Sequence, residues 1–265
     1  MWVWDSGGDR PAVVLLHGWT STAALTWSPV MGALAHSWRV VAPDHRGHGR
    51  GIRARRFTLE DCADDVAALI EHLGVSPAIV AGYSMGGPIA QLVWRRHPEA
   101  VGGLVLCATA ARFQGRADLA PAVTAVSLGL SYLLSAIPGG WRHQALTRMV
   151  EARDDNPERA RWVLAEQGRS DPALLVQAAA ALNAYDATGW IATIDVPTSV
   201  IITTRDRTVA PERQWHLARS IPGAEHATVD WGHRAGVEAA DRFGPALEQA
   251  CRSVWDRGQK VGRAS

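Results

Sequence analysis

The sequence predicts an α/β fold: a mainly parallel central sheet with helices on both faces and a helical cap inserted late in the chain. Three observations carry this expectation. Short apolar runs rich in β-branched residues recur along the chain, helical patterns separate them, and one stretch of about 80 residues shows helical patterns but no strand, too long for an ordinary loop.

The runs are "AVVLL" (12–16), "WRVVA" (38–42), "AIVAG" (78–82), "GLVLC" (103–107) and "SVIITT" (199–204), with a weaker strand-like run at 225–229. They lack a polar alternate face, so each reads as a strand buried on both sides, as parallel sheets require. Between them, Leu59, Cys62, Val66, Leu69, Ile70 and Leu73 share one helical face. That helix opens with the capping pattern Thr58-x-x-Asp61 and stops at Gly74. A second helix spans 85–97 before Pro98, and a third amphipathic stretch covers 239–253. Strands alternating with helices imply parallel pairing through crossovers.

The alternation breaks over 111–194, where helical segments are punctuated by "SAIPGG", "DDNPE" and "SDP". The expected organisation is therefore a core of 1–110 and 195–255, a cap of 111–194, and a polar tail, 256–265, expected to be disordered. Within the cap, Thr124, Ser127, Ser131 and Ser135 fall on one helical stripe of 121–137, beside an apolar face of Val123, Val126, Leu130, Leu133, Leu134 and Ile137. Packing against neighbouring helices explains this pattern more simply than an acyl-lining lid.

Composition narrows the function. A hydrophobic fraction of 47% and a charged fraction of 20% describe a soluble globular chain. The formal net charge of +1 supplies no field for nucleic acid or an anionic membrane. Lys260 is the single lysine, and arginine carries the remaining basic charge. Cys62, Cys107 and Cys251 have no metal-type spacing; the first two read as small buried hydrophobes, and a reducing compartment fits best. No signal-peptide pattern and no membrane-spanning run is present, so a cytoplasmic location is expected. No metal cluster or nucleotide loop appears, so no cofactor is expected either.

"GYSMGG" (82–87) contains the pattern G-x-S-x-G between a strand and a helix, the context in which a serine is held at the tip of a sharp turn. Gly82 and Gly86 remove side chains that would collide there, and Gly87 permits close helix packing. The helix N-terminus favours developing negative charge beside Ser84. A serine hydroxyl still needs a base. His233, in a loop after the run 225–229, suits that role; His97, His143, His216 and His226 lie in helical or strand patterns. The base needs an orienting acid, and Asp206 directly follows the strand at 199–204. Asp230 is too near His233 in sequence, and Asp195 precedes its strand and lies at the wrong end. In "LLHGWTS" (15–21), Gly18 lets the backbone turn its N–H groups inward. The Trp19 N–H and that of Met85 would form an oxyanion hole, each donor contributing about 3–4 kcal/mol to the transition state. His17 reads as a structural support for this loop.

Taken with "DHRGHG" (44–49), "TRDRTVAP" and the "GH" at 232–233, these motifs resemble the α/β-hydrolase superfamily in order and approximate spacing, from Trp2 to about Trp255. The resemblance implies that Arg46 and His48 lock loops. It also implies acyl transfer, since the dehalogenases and epoxide hydrolases of this fold carry aspartate at the elbow where Ser84 stands. The expected substrate is a small to medium, largely apolar carboxylic ester, lactone or thioester. Carbon–carbon bond hydrolysis, cofactor-free perhydrolysis and a non-catalytic small-molecule receptor are the alternatives. Arg112 is a weak candidate for meeting an acidic substrate.

Overall fold

Alternate residues along the central strands enter two different cores, as a sheet covered on both faces demands. In a computed structural model describing residues 1–113 and 157–262, the strands are β1 (Val3–Asp5), β2 (Ala12–Leu16), β3 (Arg39–Pro43), β4 (Ala78–Tyr83), β5 (Val101–Cys107), β6 (Thr198–Thr203) and β7 (Glu225–Val229). They form one sheet ordered β1-β3-β2-β4-β5-β6-β7. Val14, Leu16, Val80, Leu104 and Val200 face one core, while Val13, Leu15, Ile79, Val105 and Ile201 face the other.

The first core packs against α2 (Leu59–His72) and α3 (Gly86–Arg96); the second packs against α1 (Ala23–Leu34) and α8 (Ala240–Gly262). Thr58 caps α2 as its spacing predicts, its hydroxyl accepting from the Asp61 N–H at 3.0 Å. The Asp61 carboxylate turns instead to Arg46, 3.2 Å away. Gly74, with φ of 62°, takes the left-handed turn after that helix.

The insertion between β5 and β6 contributes α4 (Pro157–Gln167) and α5 (Pro172–Ala184) among the described residues. Its two ends are stitched together where the Ala187 N–H donates to the Ala111 carbonyl at 2.8 Å, beside an antiparallel bridge between Arg112 and Asp186. Arg112 is thereby committed to the Asp186 carboxylate, at 3.5 Å. The striped segment 121–137 and His143 lie outside the described residues.

Two elements differ from the sequence expectation. β1 pairs antiparallel with β3, Val3 opposite Pro43, and its three residues are too few to show a period. The chain end expected to be loose from 256 continues instead as helix to Gly262, because α8 is carried on by packing: Val254 is fully buried, and the Arg257 guanidinium reaches the Thr198 carbonyl at 2.8 Å. The short helix α7 (Ala235–Glu238) and α6 (Pro211–Ser220) complete the described elements around β6 and β7.

Candidate active site

Because β2, β4, β6 and β7 run parallel, the loops that follow them open at the same edge of the sheet. The strand order reverses direction between β2 and β4, and such a switch point leaves a crevice at the strands' carboxyl ends. Gly18, Ser84, Asp206 and His233 each stand in one of these loops.

Ser84 has φ of 52°, a left-handed conformation that a residue with a Cβ rarely adopts. It is held there by its main chain: its N–H donates to the Cys107 carbonyl, while its own carbonyl accepts from the Gly87 N–H and the Thr109 hydroxyl, all within 2.9 Å. The glycines have a steric reason. A Cβ on Gly82 would overlap the Gly86 carbonyl, and one on Gly86 would overlap the Leu16 carbonyl of the neighbouring strand. The chain can therefore turn tightly enough to leave the hydroxyl at the tip, at the N-terminus of α3.

The side chains predicted to act together meet. The His233 Nδ1–H donates to Asp206 Oδ2 at 2.7 Å, leaving Nε2 to accept from the Ser84 hydroxyl at 3.0 Å. Asp206 is buried. Burial alone would raise its pKa, but the hydrogen bond and charge of His233, the Val209 N–H and the Thr203 hydroxyl outweigh it, and the carboxyl sits below its ordinary value. Oδ1 accepts the N–H groups of Thr208 and Val209 at 2.8 and 2.9 Å; Oδ2 also accepts from the Thr203 hydroxyl and the Gln214 amide, at 2.8 and 3.1 Å.

Gln214 and Tyr83 are supports that sequence reasoning did not find. Gln214 lies on α6, fully buried, and its amide also donates to the Val209 carbonyl at 2.8 Å. A sequence signal exists: Gln214 precedes Leu217 and Ala218 by three and four residues, so all three share the inward face of α6. The Tyr83 hydroxyl donates to the His233 carbonyl at 2.7 Å, tying the residue beside Ser84 to the loop bearing the imidazole. The competing carboxylates are occupied elsewhere. Asp230 forms a two-pronged pair with Arg205, and Asp195 accepts from the Trp94 indole.

Gly18 borders Ser84 closely, its missing Cβ position lying 3.4 Å from the Ser84 Cβ. Among the described residues the N–H groups of Trp19 and Met85 have no hydrogen-bond acceptor. His17 supports this loop: its Nδ1–H donates to the Gly18 carbonyl at 2.8 Å, and its Nε2 accepts from the His45 N–H at 3.0 Å. That pattern requires a neutral ring, and burial does lower its pKa to about 4. In the loop after β3, Arg46 grips Asp65 with two hydrogen bonds of 2.8 Å, and the His48 ring binds the Arg46 carbonyl.

His17, His45 and His48 thus form a buried cluster beneath the site, with ring centroids 4.3 Å apart for His17 and His45 and 5.3 Å for His17 and His48. Burial brings His48 down to about 3. Unfolded, such rings take a proton near pH 6.5; folded, His17 and His48 resist until about pH 4 and 3. Between those values the unfolded chain binds more protons, so stability falls as the pH drops below about 6.5, by up to about 1.4 kcal/mol per pH unit for each ring. Thermal melts from pH 7 to 4 should show a steep loss of Tm. His48→Gln should flatten that slope even where it lowers the Tm at neutral pH.

A parallel-sheet fold with a serine elbow, an imidazole and a buried acid at one edge defines a class of proteins, and comparison with known sequences places the chain within it. The family model described as the alpha/beta hydrolase fold matches residues 11–240, and the chain belongs to that family. It is 30% identical over 249 residues to the pimeloyl-[acyl-carrier protein] methyl ester esterase of Neisseria meningitidis serogroup A, covering 92% of this chain and 78% of that one. Among solved structures, a thermophilic esterase from Thermogutta terrifontis superposes with a TM-score of 0.78 at 25% identity, covering 95% of this chain and 93% of that one. The enol-lactonase of Burkholderia xenovorans LB400 gives 0.74 at 25% identity, covering 92% and 94%.

Proposed function

We propose that this protein is a serine hydrolase that cleaves a small to medium, largely apolar carboxylic ester, or the related lactone or thioester, through an acyl-enzyme. The observation that carries the reading is the unbroken line from Asp206 through His233 to Ser84, ending on a serine in a strained backbone turn. The names of its relatives, two esterases and a lactonase, favour an oxygen ester.

In this reading His233 Nε2 takes the hydroxyl proton as Ser84 Oγ forms a bond to the carbonyl carbon. Asp206 holds the imidazole in the productive tautomer and stabilises the imidazolium. The Trp19 and Met85 N–H groups take the charge that develops on the carbonyl oxygen, aided by the N-terminus of α3. The tetrahedral intermediate collapses as the carbonyl–alkoxy bond breaks, and His233 hands its proton to the leaving oxygen. Water then enters, gives a proton to His233, and attacks the acyl carbon; Ser84 leaves and recovers its proton. The insertion, 111–194, acts as the cap that shapes the acyl pocket.

p-Nitrophenyl acetate or butyrate should be hydrolysed with an initial burst, and a series of acyl-chain lengths should show an optimum that measures the pocket's depth. Absence of turnover on every short-chain ester and lactone would overturn this reading.

A further inference from the structure

The loop that follows β2 is held from two sides. Beneath it, His17 binds the Gly18 carbonyl; because the 18–19 peptide is trans, the Trp19 N–H points opposite to that carbonyl. Above it stand α4 and α5 of the insertion. The Trp19 indole N–H donates to the Leu175 carbonyl, in the first turn of α5, at 2.8 Å. The Gln167 amide, at the end of α4, reaches the carbonyl of the next residue, Thr20, at 3.4 Å. Thr20 has φ of 56°, so the backbone just past Trp19 is in a conformation that a threonine adopts only under external restraint. α5 itself is fixed to the core, its leading Asp171 N–H donating to the Gly47 carbonyl at 2.8 Å and its Leu174 filling the space above Gly47.

We propose that the Trp19 side chain is a positioning residue through which α4 and α5 set the orientation of the oxyanion-binding peptide. The inference rests on the Trp19 N–H being the oxyanion donor and goes beyond it. Residue 19 works at both ends: the main chain addresses the substrate oxygen, and the indole anchors that main chain to the insertion. The insertion then contributes to transition-state stabilisation as well as to substrate choice. A peptide N–H must lie about 2.7–3.1 Å from the oxyanion to be effective, so a small rotation of the 18–19 peptide is enough to weaken it.

The test compares Trp19→Phe, which keeps an aromatic ring but loses the indole donor, with Gln167→Ala, which removes the second tie, on p-nitrophenyl butyrate. The expected result for Trp19→Phe is a kcat lower by about tenfold, the order expected for one lost hydrogen bond, with KM within about twofold. The Ki of a trifluoromethyl ketone, which forms a tetrahedral oxyanion on Ser84, should rise in parallel. Gln167→Ala should move the same quantities in the same direction by a smaller factor. It also carries the test alone if Trp19→Phe fails to fold. A raised KM with kcat and the ketone's Ki unchanged overturns the proposal and makes the indole a pocket wall. Wild-type protein that turns over ester without being inhibited by the ketone would instead overturn the oxyanion reading beneath it.

Discussion

Ser84→Ala should fold with nearly unchanged Tm and lose ester turnover by a factor of about 10³ or more. Both halves of that expectation follow from the elbow. The strain at φ of 52° comes from the backbone and Cβ, which alanine shares, and the anchors on Cys107, Gly87 and Thr109 are all made by the Ser84 main chain. Only the bond from Oγ to His233 is lost, so the native structure has little reason to rearrange. The chemistry, by contrast, loses its attacking atom. Water activated directly by His233 and assisted by the two N–H donors should leave a residual rate above the uncatalysed one. Intact-protein mass spectrometry after a fluorophosphonate should show one adduct on the wild type and none on the variant. Undiminished turnover by the variant would place the nucleophile elsewhere.

Asp206→Asn should reduce kcat by roughly 10⁴, through the tautomer of a different residue. The position of Oδ1 faces two main-chain N–H groups, those of Thr208 and Val209, and so must remain an acceptor. The new amide nitrogen then falls at the position of Oδ2, opposite His233 Nδ1. An N–H donor there obliges Nδ1 to accept, which moves the ring proton to Nε2, against Ser84 Oγ. A ring in that state cannot take the hydroxyl proton. The loss should appear almost entirely in kcat, with KM little changed and fluorophosphonate labelling slowed in proportion. Raising the pH should recover part of the rate, because hydroxide substitutes for the missing base.

The parts legible in the sequence were those governed by local rules. Buried strands declared themselves through unbroken β-branched runs, and G-x-S-x-G was informative because a strand entered it and a helix left it. Arg46, His17 and His48 read as loop supports, and the structure finds each in a supporting contact. What escaped was long-range. Val3–Asp5 is a strand only because β3 offers an edge to it, and residues 256–262 are helical because Val254 and Arg257 dock on the sheet. Gln214 and Tyr83 look like a surface amide and an elbow filler until the fold brings one against Asp206 and the other against the His233 carbonyl. No periodicity in a sequence encodes contacts that span 150 residues of chain.

The length of α8 has a practical consequence. The helix begins just after the loop that bears His233 and runs away from that edge of the sheet. A Cβ placed on Gly258 would stand 3.5 Å from the Gly102 carbonyl, at the opposite, entry end of β5. Lys260, the chain's single lysine, is exposed on the last turn, about 30 Å along the helix axis from its start. With the exposed α-amino group of Met1 blocked, coupling through the Lys260 amine would therefore grip each molecule by the pole remote from Ser84, giving an oriented layer with its crevices turned outward to the flowing substrate.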